Sequence, residues 1–159
     1  MESVASTASV AETIEAVYRQ EAGRLWHSLF IFSADAEIAS DAVAEAFAQA
    51  IQRGSAIRDP RAWVWKTGFK IAGGELKRRS RSVDLIPEGS YLDPEVDMEL
   101  LAALAELPDR QRAAVVLHYY VDASIREISR RTGMSQLAVR ANLSRGRKRL
   151  KLLLGDRHG

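Results

Sequence analysis

SIREISRRTGMSQLAVRANLSRGRKRLKLLL, Ser124 to Leu154, reads as two short helices joined by a tight turn at Gly133. Ser124 followed by Glu127 is a capping-box pattern. The hydroxyl accepts from an N–H that a helix start leaves unpaired, and the glutamate can reciprocate. That helix buries Ile125 and Ile128 and stops at Gly133, the residue type best able to take a left-handed conformation. Met134 is an apolar wedge between the helices, and Ser135 suits the N-cap of the second. There Val139, Leu143, Leu150 and Leu154 form one apolar stripe. At roughly 100° per residue, Gln136, Arg140, Ser144, Arg147 and Lys151 project away from it. One helix that packs and one that presents arginines is the layout of a DNA-reading helix-turn-helix. A helical hairpin with a merely solvated basic face shares this local pattern, so the rest of the chain must decide.

The chain has 159 residues, enough for one ordinary domain or two small ones. Abundant alanine and only four prolines favour helix over strand. The absence of cysteine excludes disulfides and thiolate metal sites and fits a reducing cytoplasm. The acidic, polar N-terminus is not a signal peptide, and no apolar run approaches the ~20 residues of a membrane helix. A net charge of +2 conceals strong segregation. Residues 1–56 carry eight acids against three bases, and 57–82 eight bases against two acids. Residues 83–123 carry nine acids against two bases, and 124–159 ten bases against two acids. Two basic blocks separated by an acidic stretch imply two contacts on one polyanion, which responds to local rather than total charge.

Met1 to Ser9 read as a frayed polar start, followed by a helix from Val10 to about Phe32. Asp35 begins an alanine-rich helix that Gly54 ends, and Asp59-Pro60 opens a third running towards Arg79. The third interleaves Trp63, Trp65 and Phe69 with Lys66, Lys70, Lys77, Arg78 and Arg79. Aromatic faces stack on unpaired bases while cations hold phosphate. Tryptophans in amphipathic helices also serve as core, and at least one of these two is expected inside. Gly73-Gly74 should mark a kink or a close approach by another backbone. Residues 81–94 contain proline, glycine and acids and read as a linker. Beyond it, Asp93-Pro94 starts a helix with Leu100, Leu101, Leu104 and Leu107 as its apolar set. Pro108 opens another that packs Ala113, Val116, Leu117 and Tyr120. The fold class is all-α: two small helical domains, 10–80 and 95–155, joined by a linker. The second is a helix-turn-helix of the winged-helix-like DNA-binding class without strands.

Little points to catalysis. His27, His118 and His158 lack ligand spacing, so no metal site is expected. No phosphate-binding glycine loop is present, and no serine has a nearby histidine partner. Asp41 and Glu45 lie one helical turn apart, but on an acidic, alanine-rich helix a solvated or partner-binding face outweighs an acid–base pair. The chain is expected to be neither an enzyme nor dependent on a cofactor.

From about Thr13 to Leu154 the chain resembles bacterial sigma factors of the extracytoplasmic-function (ECF) type in the sigma-70 family. These consist of a region 2 domain, a linker and a region 4 domain. The resemblance rests on DAVAEAFAQA (41–50), DPRAWVWKTGFKIA (59–72), LPDRQRAAVVLHYYVDASIREISRRTGMS (107–135) and VRANLSRGRKRL (139–150). It implies an alternative sigma factor that binds core RNA polymerase and directs promoter recognition, melting and transcription initiation. Asp41, Glu45 and Gln49 would meet the clamp coiled coil of the polymerase's largest subunit, and the flap of the second-largest subunit would be a further contact. Trp63, Trp65, Lys66, Lys70, Lys77, Arg78 and Arg79 would meet the downstream promoter element, as double- and then single-stranded DNA. Ser135, Gln136, Leu137, Arg140, Ser144, Arg147, Lys148 and Lys151 would read or clamp the upstream element. An anti-sigma partner and a cytoplasmic, nucleoid-associated location without membrane insertion are also implied.

The chain departs from the family pattern at several positions. Lys70 stands where asparagine is usual, Asn142 where arginine is, and Ser129 and Gly146 where alanine is. Gly68 and Gly73-Gly74 replace alanine or leucine. A sigma-like DNA-binding regulator or polymerase decoy would share the basic faces, but a plain DNA-binding regulator would have no use for the acidic Asp41–Glu45 face. An α-helical interaction module would need neither basic block.

Overall fold

The N-terminal helices are built on alanine and leucine stripes that bring their axes close. The computed structural model describes residues 2–81 and 97–158, with side chains over 13–79 and 97–155. Helix α1 (Glu2–Ser33) begins well before Val10, so the frayed start is not observed. Serine and alanine carry little or no penalty in a helix, which permits the extension. Asp35 caps α2 (Ala36–Arg53), accepting from the N–H groups of Glu37 and Ile38 at 2.9 and 3.1 Å. Gly54 ends it with φ of 53°. A 3-10 turn, Gly54–Ala56, leads to α3 (Pro60–Arg81), where Asp59 accepts from Ala62 N–H at 3.1 Å. Leu25, Leu29, Ala39, Ala42, Ala46, Val64, Trp65 and Ala72 are buried between these three helices. Gly68 lets α3 approach α1: a Cβ there would lie 3.3 Å from a Leu29 methyl.

The C-terminal helices are α4 (Met98–Ala105), α5 (Asp109–Tyr119), α6 (Ile125–Thr132) and α7 (Gln136–His158). Asp97 caps α4; the expected start at Asp93-Pro94 and most of the 81–94 linker fall outside the described residues. Leu101, Leu104 and Leu107 are buried as expected, but Leu100 is 39% exposed. Tyr120 is also half exposed rather than packed, because α5 ends at Tyr119 and the chain turns away through Asp122. The α6–α7 turn matches the sequence pattern closely. Ser124 Oγ accepts from Glu127 N–H at 3.1 Å, Gly133 has φ of 80°, and Met134 is buried. Ser135 Oγ accepts from Ala138 N–H. The capping box is only half formed, since Glu127 Oε1 receives the serine hydroxyl, at 3.3 Å, instead of the backbone N–H.

Among the described residues the two sets of helices share one apolar cluster. Helix α3 crosses α6, and α1 touches both α4 and α5. No strand occurs among the described residues, and no helix there is long and apolar enough to cross a membrane.

Gly146 decides how closely α5 and α7 can cross. A Cβ at this buried position would lie 2.7 Å from Cγ2 of Val115, a stiff, buried β-branched side chain. Gly146→Ala gains about 1 kcal/mol of helix propensity, but the overpacking costs about 1–3 kcal/mol. Net destabilisation is therefore expected. In a Val115→Ala background the obstruction is gone and the same substitution should stabilise. Denaturant midpoints of the four proteins check this, and equal effects in both backgrounds would exclude the clash.

Candidate nucleic-acid interface

The free face of α7 carries outward the residues expected to meet the upstream element. Ser135, Gln136, Leu137, Arg140, Ser144, Arg147, Lys148 and Lys151 are all exposed, Leu137 at 79%. Val139 and Leu143 are buried on the opposite side, so packing fixes the rotation of the reading face. Arg147 differs from its neighbours, with its guanidinium 5.6 Å from the Tyr119 ring centre. Such cation–π contact restrains it against α5. Arg140 makes no comparable contact among those described.

On α3, Lys66, Lys70 and Lys77 are exposed along one side. With Arg110 they line a cleft of about 690 Å³ between α3 and the turn from Thr132 to Ser135, where Asp109 is the opposing carboxylate. The two arginines at the end of α3 are engaged differently. Arg79 bonds Asp35 at 2.6 Å and Glu75 at 3.3 Å, tying the end of α3 to the cap of α2. Arg78 pairs on the surface with Glu75 at 2.7 Å. The hydrogen bond from Arg78, assisted by Arg79, holds the Glu75 carboxyl below its usual range.

The tryptophans divide. Trp65 is fully buried, its indole N–H donating to buried Glu21 at 3.2 Å and its face covered by Arg131 at 4.6 Å. Glu21 also pairs with Arg61 at 3.2 Å. Trp63 is half-buried and forms a wall of a pocket of about 290 Å³, with Arg53, Ile57, Arg58, Lys66 and Arg130. An aromatic wall surrounded by cations suits one unpaired base and its phosphate. Sequence reasoning did not single out Arg53, Arg58 or Arg130. The only available signal was the pair of arginines bracketing the Gly54–Ile57 connection.

On α2, Asp41 and Glu45 are exposed, and Gln49 donates to Glu45 Oε1 at 2.9 Å. Buried Ala42, Val43, Ala46 and Phe47 fix that rotation. No group of histidines and carboxylates able to hold a metal occurs among the described residues.

The family model described as sigma-70, region 4, matches residues 97–150, the α4–α7 unit. The RNA polymerase sigma factor SigV of Bacillus subtilis is 24% identical over 135 residues, covering 79% of this chain and 81% of that protein. The fold is also similar to that of the sigma factor RpoE from Bartonella quintana, solved in complex with the anti-sigma factor NepR. That likeness has a TM-score of 0.72 at 18% identity, over 91% of this chain and 98% of the other. Helices α4–α7 thus form a sigma-70 region 4 helix-turn-helix unit. The chain as a whole is similar to RNA polymerase sigma factors in sequence and in fold.

The two tryptophans should differ in stability experiments. Trp65→Phe removes the indole donor to buried Glu21 and should cost about 1–3 kcal/mol. Trp63→Phe should change stability by no more than about 0.5 kcal/mol. Urea denaturation of both variants measures the difference, and equal costs would contradict the structural role of Trp65.

Proposed function

We propose that this sigma factor binds core RNA polymerase and supplies it with promoter recognition and strand opening, catalysing nothing itself. The observation that supports this most is the presence of two basic surfaces, on α7 and α3, with a separate acidic face on α2. A factor reading two promoter elements while riding on an enzyme needs these three. In this reading Arg140 and Gln136 meet base edges in the major groove, while Lys148 and Lys151 neutralise phosphate. Trp63 and its pocket take an unpaired base, with Lys66, Lys70 and Lys77 along the strand, while buried Trp65 supports the helix that presents them. Asp41, Glu45 and Gln49 contact the polymerase clamp, and the α4–α7 unit the flap. The partnership of RpoE with NepR supports an anti-sigma partner for this chain too, and work on the nucleoid places it in the cytoplasm.

Reconstitution with core RNA polymerase on genomic DNA, followed by mapping of transcript starts, tests the proposal. Factor-dependent starts sharing a two-part motif are expected, and none would overturn it. On such a promoter, Arg140→Ala should cost about 1–3 kcal/mol and relax preference at one base pair. Lys148→Ala should instead weaken binding evenly across sequences and lower the salt slope by about one. Reversing the charge with Asp41→Lys should weaken binding to core polymerase; undiminished co-purification would remove α2 from that contact.

A further inference from the structure

We infer that the cleft between α3 and the α6–α7 turn is a binding site for a small polyphosphate, a phosphate chain either free or carried on a nucleoside. The cleft, of about 690 Å³, has the size of a small-molecule site. Lys66, Lys70 and Lys77 enter it from α3 and Arg110 from α5, against the single carboxylate of Asp109. Four cations against one carboxylate leave an excess of three positive charges. Lys77 lies 4.0 Å from Asp109, while no ion pair engages Lys66, Lys70 or Arg110 among the described residues. Lysine binds phosphate as a point charge and arginine through a planar fork, so this set suits successive phosphate groups.

The floor of the cleft is bare. At roughly 100° per residue, Lys66, Lys70, Gly73, Gly74 and Lys77 fall on one stripe of α3. The two glycines thus lie between Lys70 and Lys77, which are ~10 Å apart along the helix axis. Glycine in mid-helix costs stability against alanine. Packing does not require it at Gly74, where a Cβ would meet nothing within 4 Å. At Gly73 the nearest atom is Asp109 Oδ2, at an ordinary 3.4 Å from a Cβ. A ligand lying against the α3 backbone between two lysines gives both glycines a use. The facing wall supplies a donor. Ser135 Oγ accepts from Ala138 N–H at 3.1 Å, and its own proton meets no acceptor among the described residues. Lys66 is held by the turn, its Nζ 3.4 Å from where a Gly133 Cβ would stand. The departures at Lys70 and Gly73-Gly74 therefore fall together on one site.

Isothermal titration calorimetry of the full-length protein at about 0.15 M salt, where surface attraction is screened, tests the site. Inorganic tripolyphosphate should bind one to one, and orthophosphate far more weakly. ATP no tighter than tripolyphosphate would mark a bare chain as the ligand, and tighter ATP a nucleoside carrier. Arg110→Gln should weaken tripolyphosphate roughly tenfold by removing a charged hydrogen bond. Asp109→Asn should tighten it roughly threefold by removing the one like charge, a gain that misfolding does not give. Gly74→Leu should raise the denaturant midpoint, because leucine favours helix, yet abolish binding by filling the floor. Arg149→Gln removes the same charge as Arg110→Gln from an exposed position on α7 outside the cleft, and should change nothing. No binding of tripolyphosphate, several equivalents bound, an equal loss with Arg149→Gln, or undiminished binding by Gly74→Leu would each overturn the proposal. The three lysines are those proposed to run along the DNA strand, so competition with DNA rests on the promoter role, while the site itself does not. Tripolyphosphate binding without factor-dependent initiation would remove the promoter role alone.

Discussion

One guanidinium on α5 bonds main-chain carbonyls in both halves of this fold. Arg112 reaches three main-chain carbonyls: one near the end of α1, one at the end of α4 and one in the turn before α5. Helix ends leave carbonyls without intrahelical partners, and an arginine with several fixed donors can serve more than one. Burial lowers the Arg112 pKa from its ordinary value, with Asp109 opposing the shift, yet arginine remains charged in proteins. The buried charge is tolerable because it is hydrogen-bonded on both Nη atoms and lies against Phe32. Without it the α1 end, the α4 end and the start of α5 would have no common partner.

The departures from the family pattern have local explanations. Gly146, where alanine is usual, is where Val115 of α5 packs against α7. Gly68 similarly admits Leu25 and Leu29 against α3. Ser129 donates its hydroxyl to Met134 O at 2.6 Å, bracing the turn that Gly133 opens. Asn142 donates to Ala138 O at 2.9 Å on its own helix and approaches Met134 Sδ at 3.5 Å. That side chain therefore serves the turn. Gly73 and Gly74 cause no break in α3, and the close neighbour of Gly73 is the Asp109 carboxylate rather than a backbone.

What was legible in the sequence was local. Asp35, Asp59, Ser124, Gly133 and Ser135 announced helix ends because capping depends on neighbours a few residues away. The Val139–Leu143 stripe gave the rotation of α7 for the same reason. The fates of Trp63 and Trp65 were not legible, because they sit two residues apart and only α1 and α6 decide which is covered. Glu21 carried no signal at all, since its indole partner lies 44 positions away. The contact between the halves was hidden more deeply. Arg112 is one of only two bases in an acidic stretch, and Arg130 and Arg131 look like ordinary members of a basic one, until the fold shows where each one points.

That ambiguity has a physical consequence. The cations that would attract DNA are partly those that packing of the halves brings together, so that packing and a bound polyanion draw on the same charges. At low ionic strength the crowded lysines repel one another across the cleft; added salt screens that repulsion while leaving the desolvated Arg131–Trp65 contact nearly intact. The packing of the halves therefore depends on stacking and main-chain hydrogen bonds, and charge opposes it.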